Sequence, residues 1–162
     1  MNETNKIFFY FLLLFTGVSK AQYSDRFWCF GDSAGINFSS LNNPVPTVTG
    51  LDTRGSCTSI SDSIGNLLFY ANTRAAKAGL TGQIRNRNHE IMLNGDSLYG
   101  AGWYFEMTII PNPSSDNTFY LFASGVSSYC GLYYSGIDLN QNGGLGNNIL
   151  NVFLTLYFDL IL

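Results

Sequence analysis

Charged side chains are scarce in this 162-residue chain, where they make up 12% of the residues, against about 25% in an ordinary soluble domain. There is one histidine and no run of lysines or arginines, and the closest basic pair is Arg85 and Arg87. A nucleic-acid partner requires clustered basic groups that face the phosphates. The composition therefore excludes a nucleic-acid-binding protein, and 46% hydrophobic residues exclude a disordered or collagen-like chain.

Residues that favour helices are also few, whereas residues typical of strands and tight turns are abundant. The chain has 17 glycines, 13 phenylalanines and 10 tyrosines, and 15% of its residues are aromatic. Aromatic residues are enriched in strands, and glycine permits tight turns. The composition predicts an all-β protein.

Cysteine is limited to Cys29, Cys57 and Cys130, and no two of them have the CxxC spacing of a zinc site. Three small buried apolar residues fit this pattern. One disulfide with a free thiol fits it equally well, and the pairing stays open at this stage.

The first 21 residues have the pattern of a signal peptide. Lys6 precedes an apolar run at residues 7–18, and Ser19 and Ala21 place small residues where a signal peptidase reads them. Twelve apolar residues fall short of the roughly 20 that a spanning helix needs. We predict cleavage after Ala21, an exported chain with an extracellular or outer-surface location, and no membrane span in the mature chain.

Short strand-like runs alternate with turn residues after the predicted cleavage site. Residues 57–61 and 67–70 flank a turn at 62–66, and residues 105–110 and 118–123 flank a second turn at 111–117. Both pairs predict antiparallel hairpins. They begin about 50 residues apart, near the period of propeller blades, although a β-sandwich fits the same spacing.

Other segments carry weaker signals. Residues 27–30, 36–38 and 132–139 predict further strands, the last one closed by a turn at 140–144. Pro44 and Pro46 predict an extended connection, because proline withholds a hydrogen-bond donor from a sheet. Residues 75–85 are the one stretch where a helical turn could form.

Ordered landmarks along the chain resemble one protein family. They are WCFG at 28–31, AGINF at 34–38, GSCTSISD at 55–62, GNLLFY at 65–70, NRNH at 86–89, MLNG at 92–95, IPNP at 110–113, GLYY at 131–134 and NGGLG at 142–146. The chain resembles the N-terminal, β-propeller-like region of secreted surface proteins that carry PKD modules and gliding-motility-associated, type IX secretion C-terminal domains.

The resemblance implies a partial β-propeller-like array of antiparallel blades over residues 22–146. The roughly 140 residues left after cleavage make about three blades, whereas closed propellers have four to eight. Residues 147–162 form an apolar tail where the family continues through further blades, so we expect a truncated or frame-shifted chain from which the remaining blades are missing. Such a chain exposes strand edges and is marginally stable.

The strongest enzyme-like pattern is Gly-Asp-Ser, at 31–33 and again at 95–97. It resembles the nucleophile block of GDSL-type secreted esterases, whose serine requires a histidine base. His89 is the only histidine, it lies mid-chain, and Asn86 stands where the acidic residue of an Asp-x-x-His block would be. We predict no catalytic residues and interpret His89 as a turn-anchoring residue.

Two loop patterns have both a binding and a structural interpretation. Asp138, Asn140, Asn142 and Gly143 copy the first half of a calcium loop, but Ile149 replaces the bidentate glutamate at its twelfth position. A β-turn is favoured there. Asp-Ser-aliphatic triplets at 32–34, 62–64 and 96–98 resemble an O-glycosylation sequon, although Asp-Ser is also a common turn pair.

The sequence predicts a non-enzymatic exported recognition or scaffold module, part of a larger adhesin-like surface protein, with no cofactor and no metal site. Its partner is an unidentified protein or glycan at the cell surface, contacted through loops at 32–35, 71–85 and 94–102 or through the aromatic pair Trp103 and Tyr104. The alternatives are a GDSL-like secreted esterase and a truncated coding remnant without function.

Overall fold

The computed structural model describes residues 24–53, 55–74, 81–96, 98, 107–125 and 131–154. Within these ranges the chain forms ten strands and one short 3-10 helix, which confirms the all-β prediction. The elements are β1 (Phe27–Cys29), β2 (Ala34–Asn37), β3 (Val45–Val48), β4 (Cys57–Ser61), β5 (Leu67–Arg74), β6 (Thr81–Asn86), β7 (Met107–Pro111), β8 (Thr118–Gly125), β9 (Gly131–Asp138), the 3-10 helix (Asn142–Gly144) and β10 (Asn147–Leu154).

The strands pair into three antiparallel sheets, each built from strands that follow one another in the chain. The first sheet has the order β1-β2-β3, the second β4-β5-β6 and the third β10-β9-β8-β7. Both predicted hairpins are confirmed as β4–β5 and β7–β8. Each sheet is therefore a meander, and its pairing depends on the local turns.

The β4–β5 turn shows how local chemistry fixes a hairpin. The Asp62 carboxylate accepts hydrogen bonds from the backbone N–H of Ile64 and of Asn66, each at 2.9 Å. Gly65 has φ of 96°, a conformation that glycine adopts without strain. The sequence predicted this glycine position, and the carboxylate explains why the turn is tight.

Two segments, one predicted as an extended connection and one as a possible helical turn, contain strands instead. The segment containing Pro46 forms the edge strand β3, where Pro46 lies opposite Ile36 of β2 and its missing N–H leaves no unpaired partner. Residues 81–85, assigned above to a possible helical turn, lie in β6 and pair with β5. Pairing with a neighbouring strand outweighs the weak helical propensity of this segment. Residues 75–80 lie outside the described ranges.

The start of the apolar segment 147–162 contributes a strand to the third sheet. Asn147 to Leu154 form β10 and pair with β9 along the whole strand, from Asn147 opposite Asp138 to Leu154 opposite Leu132. The apolar residues in this part of the segment are therefore strand residues that extend a sheet. Residues 155–162 lie outside the described ranges.

The second sheet is buried on both faces. Phe69 of β5 is fully buried in a cluster with Phe119 and Leu121 of the third sheet, whereas the adjacent Tyr70 is fully buried in a cluster with Phe27 of the first sheet. Neighbouring residues of a strand point to opposite faces. The three sheets therefore pack in chain order, with the second sheet in the middle.

A β-bulge adjusts the β5 side chains to these two faces. Ile60 pairs with Phe69 and Ser61 pairs with Leu67, so Leu68 is an extra residue on β5. Leu68 and Phe69 both pack toward the third sheet, although they are adjacent in the chain. Bulges re-aim side chains in this way, and here the bulge adds apolar contact area between the second and third sheets.

The first strands of successive sheets lie next to each other. Strands β1 and β4 run in opposite directions, whereas β4 and β7 run in the same direction. The Cys57 thiol reaches the carbonyl oxygen of Cys29, and the Ser59 hydroxyl reaches that of Phe27. Residue numbers rise along β4 as they fall along β1, so these strands are antiparallel. The turns that follow β4 and β7, by contrast, line one shared cleft, so the hairpins of the second and third sheets point the same way.

The outer faces of the end sheets carry aromatic residues. On the first sheet Trp28 is 48% exposed, and its ring centre lies 5.0 Å from that of Phe38. On the third sheet Tyr120, Phe122 and Tyr134 form a group with ring centres 5.8 to 6.4 Å apart. The part of the chain that the structure describes includes no helix of the length and apolarity required to cross a bilayer.

Candidate functional site

A cleft of about 650 Å³ opens between the second and third sheets. We call it the β4–β7 cleft, because strands β4 and β7 and the turns that follow them form its walls. Its polar lining includes Ser61, Asp62, Asn112, Asp116 and Asn117. A concave site with a few convergent polar groups is a typical binding site, so this cleft is the candidate functional site.

Ser61 belongs to the lining of the cleft, but its side chain lies on the face of the second sheet that it shares with its strand partner Leu67, which packs toward the first sheet. Its side chain is 3% exposed, and its Oγ has no hydrogen-bond partner among the described residues. Its backbone N–H is satisfied, because it donates to the carbonyl oxygen of Ser24 at 2.8 Å. A buried polar atom without a partner is unfavourable, and the Ser61 hydroxyl is covered by protein atoms rather than open to the cleft.

The turn after β7 holds the opposite wall in place. The side chain of Asn112 donates to Thr118 Oγ1 at 2.9 Å and accepts from the backbone N–H of Ser114 at 3.0 Å. Asn117 donates to Asn140 Oδ1 at 2.9 Å, which ties this turn to the loop after β9. These bonds leave the Asp116 side chain exposed at the rim, where it can accept hydrogen bonds.

Apolar side chains complete the lining of the cleft. Leu68 and Ile109 are half-buried, Phe119 is buried, and Pro111 is exposed. The cleft therefore combines an apolar surface with hydroxyl, carboxamide and carboxylate groups. A sugar ring has a matching arrangement, because its C–H groups pack on apolar surface while its hydroxyl groups both donate and accept hydrogen bonds.

The protein should lose stability as the pH falls below about 4. Burial alone would raise the pKa of Asp62, but hydrogen bonds from Asn66, Ile64 and Gly65 hold it below its usual value. The Asn140 backbone N–H likewise lowers the pKa of Asp138. A carboxyl group with a lowered pKa in the folded state stabilises the fold above its unfolded pKa, and this contribution is lost as the pH falls through the folded pKa.

Thermal unfolding measured between about pH 2 and 6 tests this expectation. Asp62→Asn should reduce the acid-side loss of stability, whereas the same change at the exposed Asp52 should leave it unaltered. Equal acid-side slopes for Asp62→Asn and the unmodified protein would contradict the assignment.

The structure does not join the esterase-like residues. Ser33 lies in the β1–β2 turn with φ of 62°, and its backbone N–H donates to the carbonyl oxygen of Leu51. His89 lies in the turn after β6 and contacts the Tyr70 hydroxyl through Nδ1 at 3.0 Å. No hydrogen bond between Ser33 and His89 occurs among the described residues, so the pairing of nucleophile and base that an esterase requires is not formed there. Ser97 lies outside the described ranges.

Tyr70 links three separate segments through its hydroxyl group. The hydroxyl accepts from the backbone N–H of Gly50 at 2.9 Å and contacts Nδ1 of His89. Arg85 donates to the carbonyl oxygen of His89 at 2.9 Å. Burial raises the pKa of the Tyr70 hydroxyl, which therefore stays protonated at neutral pH and can donate to His89. His89 thus has a structural contact with a side chain as well as its predicted place in a turn.

Tyr70→Phe should lower the free energy of unfolding by about 1–3 kcal/mol, because it leaves the Gly50 N–H without its acceptor inside the fold. Denaturant unfolding measures this change. The matched variant Tyr120→Phe alters a half-buried tyrosine on the outer face of the third sheet and should change stability by less than about 0.5 kcal/mol. Equal losses for the two variants would contradict the role of the Tyr70 hydroxyl.

The calcium-like loop forms a hydrogen-bonded turn. The Asp138 carboxylate accepts from the backbone N–H of Asn140 at 2.9 Å and from the side chains of Asn140 and Gln141 at 3.0 and 3.1 Å. Gly143 has φ of 64° inside the 3-10 helix. These contacts favour the turn interpretation. In the described ranges no group of three or more His, Cys, Asp or Glu side chains has the arrangement of a metal site.

The loops predicted to carry function are only partly described. Residues 71–74 and 81–85 lie in β5 and β6 rather than in a loop, whereas Trp103 and Tyr104 lie outside the described ranges. The sequence predicts the turns at 62–66 and 111–117 but not that they meet at one cleft. Turn residues with polar side chains, such as Asp62 and Asp116, were the available signal.

Of the Asp-Ser triplets, two lie fully in the described ranges, and both are in turns. Ser33 and Ser63 are exposed there, so their hydroxyl groups are accessible to a glycosylating enzyme. Glycosylation at these serines stays a prediction.

Comparisons of the chain with protein-family models, with curated proteins and with solved structures gave no match.

Proposed function

We propose that this protein is a non-enzymatic, exported cell-surface recognition module that binds its ligand in the β4–β7 cleft. The exposed Asp116 carboxylate at the rim of the cleft, beside the apolar surface of Leu68 and Pro111, is the observation that carries the proposal. The cleft also has the size of an ordinary ligand site, in the range of about 300–1,000 Å³. Export is supported by the apolar run that follows Lys6 and by the small residues Ser19 and Ala21.

The second and third sheets are proposed to pack as two blades of a β-propeller-like array. In such an array neighbouring blades are related by rotation, so their first strands run in the same direction. The shared cleft beside the β4–β5 and β7–β8 turns fits this relation. The first sheet departs from it, because β1 runs opposite to β4, and we propose that this sheet covers the second sheet rather than repeating it.

A glycan is the ligand that the chemistry of the cleft favours. Asp116 offers carboxylate oxygens at the rim, and the side chains of Asp62 and Asn112, which also hold their own turns, add a carboxylate and a carboxamide group to the lining. Leu68 and Pro111 supply apolar surface beside them. A protein segment at the cell surface is the alternative ligand, and the binding experiment separates the two.

An array of immobilised oligosaccharides, probed with the purified full chain, tests the proposed ligand class. We expect a subset of glycans to bind, and Asp116→Ala to weaken that binding roughly 3- to 10-fold through the loss of one hydrogen bond. Because Asp116 is exposed, the same change should leave the thermal midpoint nearly unaltered. Ser114→Ala, an exposed serine of the β7–β8 turn, is the matched control.

Two results would overturn this proposal. One is an absence of glycan binding together with capture of a surface protein that Asp116→Ala does not weaken. The other is an equal effect of Asp116→Ala and Ser114→Ala on glycan binding. Fractionation of the producing cells tests export separately, since a chain found in the cytoplasm with residues 1–21 intact would contradict it.

A further inference from the structure

Strand β1 is the edge of the first sheet, and its free edge is covered by side chains of β4. Ser59 Oγ donates to the carbonyl oxygen of Phe27 at 2.6 Å, and Cys57 Sγ donates to that of Cys29 at 3.1 Å. The carbonyl oxygen of Cys29 is two bonds from its Cα. The Cys57 sulfur therefore already lies beside the backbone of the other cysteine.

Both cysteines line a second cleft, of about 540 Å³, between β1 and β4. Cys29 is 5% exposed, whereas Cys57 is half-buried. A small oxidant in this cleft can therefore reach Cys57 first, with Cys29 behind it. Trp28 and Phe30 contribute apolar surface to the same cleft, which suits a sulfur pair better than a charged ligand.

We propose that Cys29 and Cys57 form a disulfide that fastens the first sheet to the second, and that Cys130 is left as the free thiol. The proposal uses the export part of the proposed function, since disulfides form and persist outside the reducing cytosol. A disulfide requires Cα atoms about 4.4–6.8 Å apart, and the 3.1 Å contact between Cys57 Sγ and the Cys29 carbonyl oxygen shows that the two residues lie side by side on neighbouring strands.

The oxidant is an external disulfide, either of a small thiol or of a thiol oxidoreductase. The Cys57 thiolate attacks one sulfur of that disulfide, and the other sulfur leaves as a thiolate. The Cys29 thiolate then attacks the Cys57 sulfur of the mixed disulfide and releases the second external thiolate. Two protein thiols are thereby oxidised to one disulfide, one external disulfide is reduced to two thiols, and the two protons pass to the leaving thiolates.

The surroundings of the two thiols fit a structural bridge rather than a catalytic one. Burial raises the pKa of Cys29 to about 12 and also raises that of Cys57. Catalytic cysteines have lowered pKa values, because the thiolate is the reactive form. The bridge should therefore form readily while β1 is still undocked and slowly in the folded, reduced protein.

Peptide mapping of the full chain tests the pairing in vitro, independently of export. The unfolded, reduced chain is refolded with oxidised glutathione, its remaining thiols are alkylated, and it is digested without reductant. We expect a linked peptide pair that contains Cys29 and Cys57, with Cys130 alkylated. The oxidised protein should melt roughly 5–15 °C above the reduced one, because the bridge closes a loop of 28 residues.

Matched variants separate the bridge from general effects of cysteine loss. Cys130→Ser should keep both the linked peptides and the difference in melting temperature, whereas Cys29→Ser and Cys57→Ser should lose both. The map of the unmodified chain supplies the pairing even if one of these variants fails to fold. A bridge to Cys130, or full alkylation of Cys29 and Cys57 after oxidative refolding, overturns the proposal. Because the oxidant is added in the test tube, neither result depends on whether the cell exports the chain.

Discussion

Replacing Phe69 with alanine should lower the free energy of unfolding by about 3–5 kcal/mol. Phe69 is fully buried between the second and third sheets, and its ring centre lies 5.3 Å from that of Phe119 in an edge-to-face contact. The change removes a large apolar side chain and leaves a cavity that two stacked sheets cannot easily close. Denaturant unfolding at neutral pH measures the loss.

Phe122→Ala is the matched control for this prediction. Phe122 lies in β8 on the outer face of the third sheet, where it is half-buried and contacts Tyr134. Its loss should be clearly smaller, since part of the ring is already in water. Equal destabilisation by the two variants would contradict the placement of the core between the second and third sheets.

Gly82→Ala should destabilise the protein by about 3 kcal/mol or more. Gly82 lies in β6, and a Cβ atom there would overlap the carbonyl oxygen of Asn72 and approach the Cα of Thr73 to 2.9 Å. These are backbone atoms of the central strand β5, so no side chain can rotate away to make room. The two strands would have to separate locally, which breaks their pairing.

Gly136→Ala provides the comparison for the Gly82 variant. Gly136 also lies inside a strand, β9, but a methyl group added there would approach no atom closer than Leu150 Cβ at 3.3 Å. A shift of a few tenths of an ångström in the edge strand β10 relieves this contact, so we expect a loss of less than about 1 kcal/mol. A Gly82→Ala protein as stable as Gly136→Ala would show that β5 and β6 are farther apart than these contacts indicate.

Local chemistry made the hairpins predictable. Asp62 and Gly65 form a turn whose hydrogen bonds and φ angle depend only on residues 62–66, and such turns can be recognised in a sequence. The same holds for the turn at 111–117. The β4–β5 and β7–β8 hairpins follow from these turns, because consecutive strands joined by short turns pair with each other.

Pairing between distant or weak strands was less predictable. Pro46 argues against a strand unless that strand lies at an edge, and edge position is a property of the sheet rather than of the residue. The residues of β10 look like an apolar tail until β9 is present to pair with them. In both cases tertiary context outweighs the local pattern.

The candidate site depends on how the sheets face each other. Ser61 and Asn112 come from different sheets, and the packing of the second sheet on the third, with Phe69 against Phe119, brings their turns to one cleft. Spacing in the sequence indicated units of blade length but carried no information about their relative orientation.

Amide hydrogen exchange of the full chain, with and without the glycan that binds best on the array, tests the central claim most directly. Backbone amides report bound ligand through slowed exchange. The recognition role of the β4–β7 cleft predicts added protection at residues 58–63 and 108–117. Added protection confined to the aromatic outer face at residues 27–38, or no change in exchange at saturating glycan, would contradict it.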